Sequence, residues 1–75
     1  MGMNTPRLVS ANVRAEMGRR SVSQKDLAAA LGLSPAAMSD RLRDRVEFRL
    51  SELDLLSKRL GVSVVALLTV VEVAA

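Results

Sequence analysis

The sequence predicts a compact all-α domain of five short helices, and three observations support this fold class. Apolar residues recur at three- and four-residue spacings through most of the chain, which is the periodicity of helices with one buried face. Serine and proline stand where helices would begin, and glycine stands where two of them would end. A chain of 75 residues has room for one small core, so we expect a single domain over residues 1–75.

The composition excludes several classes of function. The chain contains neither cysteine nor histidine, so we expect no disulfide framework, no zinc site and no other cofactor. Serines without a histidine or cysteine partner also argue against an enzyme acting on a small-molecule substrate. Phe48 is the one aromatic residue, which disfavours single-stranded nucleic acid bound by base stacking. The lack of cysteine fits a reducing cytosol.

The first helix is predicted to follow a disordered tail at residues 1–5. Thr5 is placed to cap this helix, and Pro6 suits its first position. Three apolar residues at four-residue spacing are expected to face the core: Val9, Val13 and Met17. The helix should stop near Arg19 or Arg20, which leaves Ser21 in a left-handed conformation that glycine would adopt more easily.

Two short helices joined by a tight turn form the centre of the sequence. Ser23 is a good N-cap, and Asp26 follows at the spacing of a capping box. Gly32 can adopt the left-handed conformation that ends a helix. Ser34 is a second N-cap, and Pro35 follows at the first helical position. The apolar residues at helical spacing are Leu27, Ala28 and Leu31 in the first of these helices and Met38 and Leu42 in the second.

This arrangement is the sequence form of a helix-turn-helix, and its second helix carries the residues suited to recognition. Four small or polar residues lie opposite the apolar stripe and are predicted to contact DNA bases: Ala36, Ser39, Asp40 and Arg43. A methyl group can touch thymine, a hydroxyl can bond a base or a phosphate, a carboxylate can accept from cytosine, and arginine can reach guanine. The alternative is an ordinary helical hairpin whose polar face meets only solvent.

The stretch from Gln24 to Arg43 resembles the helix-turn-helix of the phage repressor and Cro-like (lambda-repressor-like) family. The matching residues are Gln24, Ala28, Gly32, Ser34 and Met38. A looser resemblance extends from about Val9 to Leu68 and implies the five-helix lambda-repressor-like fold. Two residues depart from the family pattern. Pro35 stands where the family often has a polar residue, and Arg41 stands where it often has a branched apolar one.

The resemblance implies a transcriptional repressor or Cro-type protein of a phage or prophage that binds a double-stranded DNA operator in the cytoplasm or nucleoid of a bacterial host. By the same resemblance, Gln24 contacts a phosphate and braces the recognition helix. The predicted phosphate contacts are Gln24, Lys25, Ser34, Arg41, Arg45 and Arg49. Residues 1–50 hold nine Lys/Arg and five Asp/Glu, so the basic excess accompanies the motif. A protein-interaction module, such as an antitoxin or a DNA-binding subunit of a larger complex, is the alternative.

The stretch from Asp44 to Leu50 is predicted to be an extended loop. Val46, Phe48 and Leu50 alternate along it and are expected to turn towards the domain. Arg45 and Arg49 would then project outward beside the recognition helix. A solvated charged loop without a role in binding is the alternative.

Two more helices are predicted after this loop. Ser51 is placed to cap the fourth helix, with Asp54 three residues further on. Its apolar stripe consists of Leu53, Leu56 and Leu60. Gly61 is expected to end it, and Ser63 to cap a fifth helix whose Leu67 and Leu68 pack on the first and fourth.

An apolar extension, residues 69–75, closes the sequence. The apolar run from Val64 to Ala75 is too short to span a bilayer, so no membrane association is expected. A small domain cannot bury all of this surface, and leftover apolar surface usually marks an interface. We therefore predict a weak homodimer contact at Leu68, Val70, Val71 and Val73. These residues could equally pair as a strand or form a frayed terminus.

Overall fold

The computed structural model describes residues 4–70, and five helices account for most of them. The helices are α1 Thr5–Arg20, α2 Gln24–Leu31, α3 Pro35–Leu42, α4 Leu50–Leu60 and α5 Val64–Leu67. The described residues contain no strand, so the predicted all-α fold class is confirmed. Residues 1–3 of the predicted tail and the predicted contacts of Val71 and Val73 lie outside the described residues.

Every helix contributes apolar side chains to one core. Its buried members are Val9, Val13, Leu27, Ala28, Leu31, Met38, Leu42, Leu53, Leu56, Leu60 and Leu67. α2 packs against α3 and α4, while α1 crosses α3, α4 and α5. Complete burial of one leucine side chain stabilises a fold by about 1.5–3 kcal/mol. The helical stripes seen in the sequence therefore supply the main attraction that holds α2 and α3 in place.

The predicted turn and cap residues of the central helices adopt the expected conformations. The Ser23 hydroxyl accepts from the Asp26 backbone N–H at 3.0 Å, and the Asp26 carboxylate accepts from the Ser23 N–H at 3.2 Å. Gly32 and Gly61 end α2 and α4 with φ of 67° and 71°. Ser21 ends α1 with φ of 54°, a conformation that costs a residue with a Cβ atom more than it costs glycine.

The start of α4 differs from the prediction. Arg49, and not Ser51, is the N-cap residue, and the helix begins at Leu50. The reason is Glu52, whose carboxylate accepts a hydrogen bond from the Arg49 backbone N–H at 2.9 Å. A side chain that reaches back from the third helical position can fix a helix start even where the N-cap residue has no acceptor of its own.

Three predicted core contacts are also wrong. Val46 and Leu50 are 43% and 82% exposed, whereas Phe48 alone of the alternating residues packs on the core. The alternation fails because Leu50 already belongs to α4, where the period is no longer two. Leu68 is 40% exposed, because α5 ends at Leu67 after a single turn. At the other end of the chain, Asn4 caps α1 in place of Thr5.

Candidate nucleic-acid interface

α2 and α3 are joined by a turn at residues 32–34 that the core holds in place. The Leu33 backbone N–H donates to the Ala28 carbonyl at 2.9 Å, and the Leu33 side chain packs on the core. The Ser34 hydroxyl then accepts from the Ala37 N–H at 3.1 Å and caps α3. Both helices bury their apolar faces, so the opposite side of α3 is directed outward.

The four predicted base contacts share this outward side of α3. Ala36 and Arg43 are exposed, and Ser39 and Asp40 are half-buried. Spacings of three, one and three residues place all four on one helical face. The face therefore presents a methyl group, a hydroxyl, a carboxylate and a guanidinium, which are the groups that read base edges in a major groove.

Gln24 links the first turn of α2 to the first turn of α3. Its side-chain amide donates to the Pro35 carbonyl at 3.5 Å, the long limit of a hydrogen bond. Lys25 is exposed beside it, and Ser34 is exposed at the cap of α3. The phosphate contacts of Gln24, Lys25 and Ser34 stay predictions. All three residues are exposed, as a contact with a phosphate requires.

The segment between α3 and α4, residues 43–49, forms what we call the basic loop. Its arginines Arg43, Arg45 and Arg49 are all exposed. The Asp40 carbonyl accepts from the Arg45 backbone N–H at 2.9 Å, which folds the loop back on the end of α3. The Arg45 guanidinium lies 3.7 Å from the Asp40 carboxylate, and the two side chains are 68% and 42% exposed. The loop therefore places the Arg45 and Arg49 guanidinium groups beside the outward side of α3, to which Arg43 itself belongs.

Arg41 does not have the exposure that its predicted phosphate contact requires. Its Nε donates to the Glu52 carboxylate at 2.8 Å, and the two side chains are only 9% and 8% exposed. Its Nη1 donates to the Ala37 carbonyl at 3.2 Å. Arg41 lies three residues after Met38 and therefore on the buried side of α3. We accordingly remove Arg41 from the candidate DNA contacts.

Glu52 is ionised within this buried pair. Burial acts to raise the pKa of its carboxyl group, but the hydrogen bonds from the Arg41 side chain and the Arg49 backbone N–H outweigh that effect. The positive charges of the two arginines act in the same direction, and the pKa lies below the ordinary 4.5. The ion pair thus stays charged at neutral pH.

α1 supports the far end of the recognition helix through contacts that the sequence did not predict. The Arg14 guanidinium donates to the Leu42 carbonyl, one of the free acceptors at the end of α3. The Ser10 hydroxyl donates to the Asp44 carboxylate. Asp44 has a φ of 64°, and aspartate tolerates this conformation better than most residues. An aspartate at the second position after α3 was a local signal for this left-handed turn. Its contact with Ser10 had no such signal, because the two residues lie 34 positions apart.

Comparison with known proteins agrees with this geometry. A family model described as Helix-turn-helix matches residues 13–67, from the middle of α1 to the end of α5. The chain belongs to the phage repressor and Cro-like helix-turn-helix family. Membership makes it a DNA-binding transcription regulator, in a family that is generally not enzymatic. No curated protein and no solved structure gives a significant match.

Two further features of the described residues bear on function. No helix within residues 4–70 is long and apolar enough to cross a membrane. The same residues hold no cluster of acidic side chains that would bind a metal ion. The candidate site is the surface formed by the outward side of α3, the first turn of α2 and the basic loop.

Proposed function

We propose that this regulator is a repressor or Cro-type protein of a phage or prophage and that it binds a double-stranded operator with α3 in the major groove. The observation that carries the proposal is the single outward face formed by Ala36, Ser39, Asp40 and Arg43. Phosphate contacts from Gln24, Lys25, Ser34, Arg45 and Arg49 would position this face on the duplex. The resemblance of residues 24–43 to phage repressors supports the proposed phage or prophage origin.

The hydrogen bond between Gln24 and Pro35 supports this mode of binding. It ties the first turns of α2 and α3 together, so contacts made by one helix constrain the other. Arg14 holds the opposite end of α3 at the Leu42 carbonyl. A recognition helix held at both ends loses little conformational freedom on binding, which lowers the cost of association.

The proposal includes a weak homodimer through the C-terminal segment, at Leu68, Val70, Val71 and Val73. Leu68 and Val70 are 40% and 67% exposed, which supports the contact. Leu68 also lines an open apolar groove of about 300 Å³, together with Pro6, Val9, Phe48, Leu50 and Leu53. A second copy of the chain would cover this apolar surface and present two recognition helices to a palindromic site.

Selection from random DNA duplexes tests the proposal. The purified chain should enrich one sequence. The logarithm of its affinity for that sequence should fall linearly with the logarithm of the salt concentration, because phosphate contacts release counterions. Transcription from a promoter that overlaps the recovered sequence should fall when the chain is added. Recovery of no sequence, together with an affinity that salt does not change, would favour the protein-interaction module instead.

A further inference from the structure

The Arg41–Glu52 pair is the least exposed of the ion pairs among residues 4–70. Arg41 lies in the last turn of α3, and Glu52 lies in the first turn of α4. The carboxylate oxygen that binds Arg41 Nε at 2.8 Å also binds the Arg49 backbone N–H at 2.9 Å. One carboxylate therefore joins the end of α3, just before the basic loop, to the residue that ends the loop.

Stability does not explain a buried ion pair of this kind. Two charges that leave water lose their hydration, and their mutual attraction often only balances that loss. Apolar side chains of similar size frequently fill such a site with equal or greater stability. Apolar packing is thus not what the pair supplies, although Glu52 also accepts from the Arg49 backbone N–H at the start of α4.

The pair does fix the orientation of the Arg41 side chain between α3 and α4. An arginine held through both Nε and Nη1 has one orientation, and the Arg41 Nη1 is held by the Ala37 carbonyl at 3.2 Å. Ala37 and Arg41 belong to α3, so the pair fixes the rotation of α3 relative to α4. It also fixes the distance between the ends of the basic loop, on which Arg43 and Arg45 are exposed.

We propose that Arg41 and Glu52 are positioning residues for DNA discrimination, which hold the outward face of α3 and the basic loop in register without touching DNA. This inference rests on the proposed function. A site displaced by about 1 Å loses directional hydrogen bonds to base edges first, because these depend on angle and distance more than phosphate attraction does. Loss of the pair should therefore reduce discrimination more than it reduces general affinity.

The test replaces the pair by apolar residues of similar size, Arg41→Met with Glu52→Leu, which leaves the net charge unchanged. Lys58→Ala with Asp54→Ala is the matched control, since this pair of α4 is also neutral overall and is exposed at 72% and 60%. Each chain is titrated with the duplex recovered by selection and with a duplex changed at one base pair. Urea unfolding of each chain reports its stability separately.

One changed base pair typically lowers affinity by about 5- to 150-fold. We expect the Met/Leu variant to unfold cooperatively and to lose most of this ratio, while the control variant keeps it. An unchanged ratio in the folded Met/Leu variant overturns the proposal. If that variant does not fold, Arg41→Lys decides, because it keeps the charge and leaves Glu52 bound to the Arg49 N–H, but lacks the planar fork that holds both Glu52 and the Ala37 carbonyl. A folded Lys variant with the wild-type ratio overturns the proposal too.

Failure of the proposed function is visible separately. It appears when the wild-type chain enriches no duplex, before any variant is compared, and the positioning role then falls with it. A wild-type chain that discriminates, next to a Met/Leu variant that discriminates equally well, removes the positioning role alone.

Discussion

The side-chain amide of Asn12 donates to the Leu67 carbonyl at 2.8 Å, which ties the middle of α1 to the last residue of α5. The same amide donates to the Thr69 carbonyl at 3.0 Å. The last carbonyls of a helix have no partner within the helix. A single polar side chain thus caps the last carbonyl of α5 and binds the segment that follows it.

We expect Asn12→Ala to lower the free energy of unfolding by about 1 kcal/mol, the usual net value of a lost hydrogen bond. The backbone amides of Leu68 and Thr69 should exchange faster, because their bonds to the Val65 and Ala66 carbonyls depend on the same turn. Urea unfolding and hydrogen exchange measure the two effects. Ser51→Ala, an exposed change in α4, is the control. If both variants behave like the wild type, Asn12 does not hold α5.

Arg43→Ala tests base reading. Arg43 is exposed at the end of α3, and a guanidinium bound to guanine contributes about 1–3 kcal/mol of discrimination. The variant should therefore bind the selected duplex more weakly and should accept other bases at one position. Selection from random duplexes with the variant detects this. An equal loss on all duplexes would instead assign Arg43 to a phosphate.

Arg45→Ala and Arg49→Ala test the phosphate contacts of the basic loop. Each should weaken binding to all duplexes alike and should reduce the salt slope by about one unit, because one phosphate contact is lost. Titrations over a range of salt concentrations give the slope. Lys58→Ala removes one cation from α4 outside the proposed interface and should leave the slope nearly unchanged. Slopes equal to the wild type in both loop variants would support the alternative of a solvated loop.

The parts of the fold that the sequence predicted correctly are those that depend on local chemistry. Ser23, Gly32 and Ser34 fix the ends of α2 and α3 through atoms within four residues of themselves. The stripe of α4 is likewise visible in its own residues. These local signals are sufficient to predict which side of α3 faces outward.

The error at Arg41 arises because a distant residue decides the outcome. Arg41 looked like a surface cation because nothing local shows that Glu52, eleven residues away, lies opposite it in the core. Ser51 looked like an N-cap because serine usually suits that position, whereas Glu52 binds the Arg49 N–H and so starts the helix earlier. Both errors therefore involve one carboxylate, which tertiary packing places opposite Arg41 and which also binds a backbone N–H three residues before it.

The lowered pKa of Glu52 predicts how stability depends on pH. A carboxyl group whose pKa is lower in the folded chain stabilises the fold fully above its unfolded value, here near 4.5, and loses that contribution as pH falls through the folded value. The free energy of unfolding should therefore decrease below about pH 4.5, and it should decrease less steeply in Glu52→Gln. Urea unfolding of both chains from neutral pH down to about pH 3 measures the difference. Parallel curves would show that other carboxylates account for the decrease.

Val70→Asp tests the homodimer. On a two-fold axis, two such side chains would bring like charges together, so the dimer should weaken in sedimentation. Affinity for a palindromic site should fall, while affinity for a single half-site should not, because two recognition helices about 34 Å apart bind together only in the dimer. Val65→Asp is the matched control, since Val65 is 70% exposed and Val70 is 67% exposed, and Val65 lies outside the proposed contact. If Val70→Asp keeps the wild-type sedimentation, affinity and stoichiometry on the palindrome, the C-terminal segment is not the contact and the chain reads DNA as a monomer.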